Sequence, residues 1–117
     1  MASDSDLRTR LRSVLLEARR SRDAVATSTV RTVLAALENA EAVPMDSLPA
    51  AGALEDSVRG VGATDAPRRT LTAAEELAVV DAEIASLDEV ATAYDVVAPE
   101  RADAARAGID LLNALRR

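Results

Sequence analysis

Apolar residues recur every three or four positions in four stretches of this chain, and each stretch predicts an amphipathic helix with one face in a core. The predicted helices span about 5–21, 22–43, 72–94 and 99–115. Their apolar stripes include Leu7, Leu11 and Ala18, then Val30, Val33 and Leu37, then Val80, Leu87 and Ala91, and lastly Ala102, Ala105 and Leu112. A strand would show a period of two, so the sequence predicts an all-α fold.

Capping and turn-forming residues set the predicted bounds of these helices. Thr72 and Glu75 have the spacing of a capping box, in which each side chain satisfies the other residue's backbone amide. Pro44 ends the second helix because it disfavours a helical conformation at the residue before it, and Pro99 suits the first position of the fourth helix. Residues 44–70 contain three Pro and three Gly, which predicts a long irregular loop. We therefore predict a single domain over residues 1–117, a small four-helix bundle of antiparallel neighbours with this loop between helices two and three.

The composition limits which side chains can fill the core and which partners the protein can bind. Alanine makes up 26 of the 117 residues and Tyr94 is the only aromatic residue, so Leu, Val and Ile must supply the large buried side chains. The formal net charge of −6 opposes non-specific attraction to nucleic acid or to an anionic membrane. The charge is uneven, since residues 1–40 hold seven Arg against five Asp or Glu. No apolar run would span a bilayer and the first residues lack a secretory signal, so we expect a cytoplasmic protein without membrane contact.

Missing residue types exclude most catalytic chemistry. The chain has no His, no Lys and no Cys, which removes the Ser-His-Asp arrangement, the Schiff base and the thiol nucleophile. Zinc lacks its preferred ligands, and the acidic residues lack the spacing of a calcium loop. Gly60 and Gly62 are not followed by the Lys and Ser or Thr of a phosphate-binding loop. We therefore expect no enzyme activity, no catalytic residues, no metal and no cofactor.

Five arginines form the candidate binding face. Arg8, Arg12 and Arg19 fall within about 40° of one another on a helical wheel, and Arg22 and Arg31 extend the patch. This face suits phosphate groups or an acidic protein partner. Alternatively, Asp4–Arg8 and Arg19–Asp23 are ordinary surface ion pairs four positions apart, which contribute only a few tenths of a kcal/mol each.

Three segments together resemble the YqeY-like family. The sequence RDAVATSTVRTVLAALENAE at Arg22–Glu41 resembles the N-terminal part of that family. LTAAEELAVVDAEIASLDEVATAY at 71–94 looks like its second signature, and RADAARAGIDLL at 101–112 is similar to its last bundle helix. The match departs at Leu87, where the family commonly has an Arg-type residue, and in a longer 44–69 segment. Family members usually continue into a second small helical domain, which we expect to be absent here because the sequence ends at Arg117.

The family is related to the tail of the B subunit of the tRNA-dependent amidotransferase, where the related segment is an accessory part that contacts tRNA. The resemblance therefore implies a non-catalytic accessory or binding module with tRNA or the amidotransferase as partner. It makes Asn39, Glu41 and Tyr94 family-signature positions and candidates for a recognition surface. In the alternative interpretation, Asn39 and Glu41 are the polar end of a helix and Tyr94 closes the end of the core.

Charge restricts where tRNA could bind. Any tRNA contact must use the Arg8, Arg12 and Arg19 face, because the rest of the chain is net negative. The competing hypothesis is a protein-interaction or regulatory module with no RNA role, which the acidic surface favours.

Overall fold

The structure, a computed structural model, describes residues 5–42 and 69–117, which form four α-helices and no strand. The helices are α1 (Asp6–Ser21), α2 (Ala24–Ala42), α3 (Ala73–Tyr94) and α4 (Pro99–Leu115). The prediction of an all-α four-helix fold is confirmed. Most of the predicted 44–70 loop lies outside the described residues, while 69–72 are described and lie before α3 without helical structure.

The first connection differs from the prediction, because α2 begins at Ala24 and not at Arg22. Arg22 adopts the left-handed conformation (φ 61°, ψ 38°), and its backbone N–H donates to the carbonyls at the end of α1. A left-handed residue that closes a helix in this way is a common helix end. Asp23 then starts α2, since its Oδ1 accepts a hydrogen bond from the backbone N–H of Ala26 at 3.0 Å.

The capping box at the start of α3 is present as predicted. Thr72 Oγ1 accepts from the N–H of Glu75 at 3.1 Å, and Glu75 Oε1 accepts from the N–H of Thr72 at 2.8 Å. The hydrogen bond from the Thr72 backbone lowers the pKa of Glu75 below its ordinary value of 4.5. The carboxylate therefore stabilises the fold above about pH 4.5, and this contribution is lost as the pH falls through the pKa of folded Glu75.

We expect Thr72→Ala to lower the free energy of unfolding by about 1 kcal/mol, because the amide of Glu75 loses its acceptor. Thr70→Ala is the matched control, since Thr70 is exposed and lies before the helix without capping it. Urea denaturation at pH 7 measures both variants. Equal stability of the two variants would show that the box contributes nothing.

The helices run up, down, up and down, as the side-chain contacts between their ends show. Arg8 near the start of α1 bonds Glu41 near the end of α2, so these two helices are antiparallel. Arg116 after α4 pairs with Asp81 in the first half of α3, which makes the second hairpin antiparallel as well. The starts of α1 and α3 are neighbours because Arg8 also bonds Glu76. The most extensive contacts join α3 to α4 and α1 to α2, so the bundle consists of two helical hairpins.

The two ends of the bundle differ in how the chain connects there. At one end lie residues 22–23 and 95–98, and we call this the turn end. At the opposite end, the open end, the backbone N–H of Arg69 donates to the carbonyl of Glu41 at 2.9 Å. The chain therefore leaves α2 and returns toward α3 at one point, and no crossover along the bundle is needed.

The large buried side chains lie toward the open end. The six largest fully buried ones are Leu11, Leu37, Leu112, Val30, Val33 and Val80, and of these only Val30 lies clearly in the half of its helix nearer the turn end. In α1, α3 and α4, the buried apolar residues nearest the turn end are alanines, namely Ala18, Ala91, Ala102 and Ala105. The exposed large apolar residues of the described ranges also lie in this half, and they are Leu16, Val90, Val96 and Val97. The core is thus thinner at the turn end.

A glycine allows the two hairpins to approach each other. A Cβ atom on Gly108 of α4 would lie 2.9 Å from Thr29 Oγ1 on α2 and 3.1 Å from Leu87 Cδ1 on α3. Contacts this short would force a neighbour to move, so only glycine fits this packing without a shift. Across residues 5–42 and 69–117, each helix is too short or too polar to cross a membrane.

Candidate anion-binding groove

A shallow groove of about 560 Å³ lies where α1 ends and α2 begins. It is lined by three arginines, three hydroxyl residues and one alanine, namely Arg19, Arg22, Arg31, Thr27, Ser28, Thr32 and Ala24. We call this the arginine groove. It brings together three of the five arginines that the sequence predicts as a binding face.

The local fold explains why these side chains meet. Thr27, Ser28 and Arg31 lie within one turn of one another on α2, so they share a face of that helix. Arg19 belongs to the last turn of α1. Arg22 occupies the corner because its left-handed backbone turns the chain between the two helices. The groove therefore depends on the turn at residues 22–23.

The arginines of the groove carry uncompensated positive charge. Among the residues that the structure describes, no carboxylate forms an ion pair with Arg19, Arg22 or Arg31. Asp23, which the sequence offers as a partner for Arg19, instead caps α2. Guanidinium groups beside hydroxyl groups form a set of hydrogen-bond donors that suits phosphate or carboxylate oxygens. The groove is consequently suited to anions.

Arg8 does not belong to this face, and here the sequence prediction needs correction. Its side chain is only 10% exposed, and its Nη2 lies 2.6 Å from Glu41 Oε2. Its Nε lies 3.2 Å from Oε2 of Glu76, whose side chain is 7% exposed. One buried arginine thus joins α1, α2 and α3 at the open end. We call Arg8, Glu41 and Glu76 the charge knot.

A sequence signal for the charge knot exists, although the wheel of α1 alone does not show it. Each of the three residues lies one helical turn from a fully buried residue, since Arg8 precedes Leu11 by three and Glu76 precedes Val80 by four. Glu41 likewise follows Leu37 by four. Charged residues of both signs beside the apolar stripes of three predicted helices can form an ion pair between helices, and pairing is what permits a charged residue to be buried.

The remaining predicted site residues are spread over the bundle. Arg12 is exposed on α1 two turns before Arg19, outside the lining of the groove. Asn39 is exposed near the open end, and Glu41 is occupied by Arg8. Tyr94 ends α3 at the turn end, where its partly buried ring lies 4.5 Å from the guanidinium carbon of Arg101. Asn39 and Glu41 are therefore not brought together with the arginine groove.

A second, apolar groove of about 330 Å³ lies beside the arginine groove at the junction of α2, α3 and α4. Its lining is dominated by small and apolar residues, namely Ala24, Val25, Ser28, Thr29, Leu87, Val90, Ala104 and Ala105, with Arg101 in addition. We call this the apolar groove. Ala24 and Ser28 line both grooves, so a low ridge of α2 separates them. The sequence does not reveal this groove, because residues from three separate helices form it.

The described residues contain no cluster of three or more acidic side chains that could hold a metal ion. No protein-family model, curated protein or solved structure matches this chain. The resemblance to the YqeY-like family stays a prediction.

Proposed function

We propose that this chain is a non-catalytic binding module that contacts a phosphate-bearing partner through the arginine groove. The resemblance to the YqeY-like family suggests tRNA, or a complex of tRNA with the amidotransferase, as that partner. The observation that carries the proposal is the meeting of Arg19, Arg22 and Arg31 in one groove without any carboxylate partner among the described residues. The absence of His, Lys and Cys from the sequence supports a role in binding and not in catalysis.

The distribution of charge favours this face over any other. Residues 5–42 hold seven Arg against five acidic residues, a net charge of +2. Residues 69–117 hold five Arg against ten acidic residues, a net charge of −5. A polyanion is therefore attracted to the α1–α2 hairpin and repelled by the α3–α4 hairpin. Binding should be weak and sensitive to salt.

We expect labelled tRNA to bind with a slope of about −2 to −3 in the logarithm of affinity against the logarithm of salt concentration, which corresponds to three phosphate contacts. Arg31→Glu should weaken this binding about tenfold or more at low salt and make the slope about one unit shallower, because one contact is lost. Fluorescence anisotropy at several salt concentrations measures both quantities.

Arg10→Glu is the matched control, since it makes the same change of charge on an exposed residue at the other end of the same hairpin. It should reduce affinity only by the small effect of net charge. If the two variants lose affinity equally, tRNA responds to overall charge and the arginine groove is not the site. If no tRNA binds at low salt, the RNA proposal is wrong.

A second candidate function is a protein-interaction or regulatory module without an RNA role. The apolar groove favours it, together with Val96 and Val97, which are 85% and 75% exposed. Exposed apolar groups of this kind commonly mark surfaces that bind other proteins. Size-exclusion chromatography with light scattering measures the molecular mass in solution and so reports whether this surface binds a second copy of the chain.

A further inference from the structure

The turn end carries both an apolar groove and an apolar protrusion. Val96 and Val97 stand out from the connection between α3 and α4 with most of their surface in solvent. The apolar groove lies at the same end and is lined mainly by small side chains, which leave room for inserted groups. One molecule cannot insert Val96 or Val97 into its own groove, because both valines are largely exposed in the folded chain. A second molecule could insert these valines into the groove.

Charge divides the turn end into two unlike halves. On the α1 side, the exposed arginines in or just after the last turn are Arg19, Arg20 and Arg22, and they outnumber the exposed acids Glu17 and Asp23. On the α3–α4 side, exposed acidic residues surround the connection, and they are Asp88, Glu89, Asp95, Glu100 and Asp103. Two arginines lie among these acids, and Arg106 pairs with Asp95 and Asp103 while Arg101 covers the Tyr94 ring. The basic half and the acidic half thus lie at the same end of the bundle.

We propose that two copies of this chain associate through their turn ends about a two-fold axis. The axis runs along the boundary between the two halves, so the basic half of each copy meets the acidic half of its partner. In this dimer, Val96 and Val97 of each copy insert into the apolar groove of the other. The interface is closed, so association stops at the dimer.

Charge and core packing favour a second copy of this chain as the partner that binds at the turn end. A purely acidic partner would suit the arginines but would meet Asp88, Glu89 and Glu100 on the other side of the groove. A purely basic partner would suit these acidic residues but would be repelled by Arg19, Arg20 and Arg22. Only a partner that carries both signs and a small apolar protrusion fits, and this molecule presents both. The thin core at the turn end gains the large apolar groups that it lacks.

This inference does not rest on the proposed RNA function, although the two share Arg19 and Arg22. If both hold, bound tRNA and the second copy compete for these arginines, and excess tRNA should shift the dimer toward the monomer. If tRNA does not bind, the dimer is unaffected.

The experiment measures molecular mass by sedimentation equilibrium over a wide range of protein concentration. The wild-type chain should pass from one to two chains as concentration rises, and Val97→Asp should raise the dissociation constant about tenfold or more. A wild-type chain that stays monomeric up to millimolar concentration overturns the proposal. A dimer that Val97→Asp leaves unchanged places the interface on another surface and overturns it as well.

A charge exchange tests the two-fold arrangement separately. One variant carries Arg19→Glu and Arg20→Glu, so both halves of its turn end are acidic; the other carries Asp88→Arg and Glu89→Arg, which makes its acidic half more basic. Each variant alone should be monomeric, and an equimolar mixture should restore the dimer. Adding Val97→Asp to both variants should abolish this recovery. Recovery that persists shows attraction between opposite charges alone and rejects the apolar fit. Circular dichroism confirms that every variant is folded.

Discussion

Arg8→Met is expected to lower the free energy of unfolding by about 3–5 kcal/mol, because it leaves two carboxylates without their partner in the charge knot. Glu76 has the less exposed side chain of the two and loses the hydrogen bond from Arg8 Nε. Glu41 loses the hydrogen bond from Nη2. Buried charges that lose a partner keep the cost of desolvation and no longer gain the compensating attraction. Met fills much of the space of the Arg side chain, so the loss reports on charge more than on packing.

Chemical denaturation at pH 7 tests this expectation, with Arg10→Met as the control on the same helix. Arg10 is exposed and donates only to backbone carbonyls, so its replacement should change stability by less than about 0.5 kcal/mol. The double variant Arg8→Met, Glu76→Met should recover about half of the loss or more, since it removes the most buried unpaired charge. A loss below about 1 kcal/mol for Arg8→Met would show that water compensates the carboxylates and that the knot is not needed for stability.

Leu11→Ala is expected to cost about 2–5 kcal/mol, and Leu16→Ala on the same helix less than about 0.5 kcal/mol. Leu11 is fully buried in the central core, whereas Leu16 is 53% exposed. Both substitutions replace Leu by Ala at positions away from the ends of α1, so the difference in helix propensity between Leu and Ala cancels in the comparison. The difference therefore measures how unevenly the core is filled along the bundle.

The same denaturation measurement at low protein concentration checks both leucines, which keeps any association from contributing. Similar losses for the two variants would contradict the description of a core concentrated toward the open end. Loss of cooperativity in Leu11→Ala would mean that the two hairpins separate before they unfold.

Local features of the sequence were sufficient to predict the four helices. The apolar stripes of α1 and α4 come from spacing alone, and the described structure buries Leu7, Leu11, Ala105 and Leu112 as expected. The cap at Thr72 and the start of α4 at Pro99 also follow from neighbouring residues. These features depend on contacts within one or two helical turns, which the sequence displays directly.

Features that depend on contacts between distant helices were not predictable in the same way. A helical wheel of α1 places Arg8 beside Arg12. The side chain of Arg8 is nevertheless surrounded by residues of α2 and α3, and the sequence of α1 alone does not reveal these contacts. The predicted second helix includes Arg22, whereas the cap at Asp23 places Arg22 in the turn before α2. The arginine groove exists because of that turn.

The hydrogen bond between Arg69 and Glu41 has a practical consequence for rearranging the chain. Arg10 donates to the carbonyl of Arg117 at 3.1 Å, so the last residue lies beside α1 at the open end, where α1 begins. A short peptide from Arg117 to Ser5, with new termini opened between residues 43 and 68, would give a circular permutant that retains every helix pairing. Labels or fusion partners attached next to Ser5, Ala42, Arg69 or Arg117 would start from the open end, away from both grooves and from the turn end.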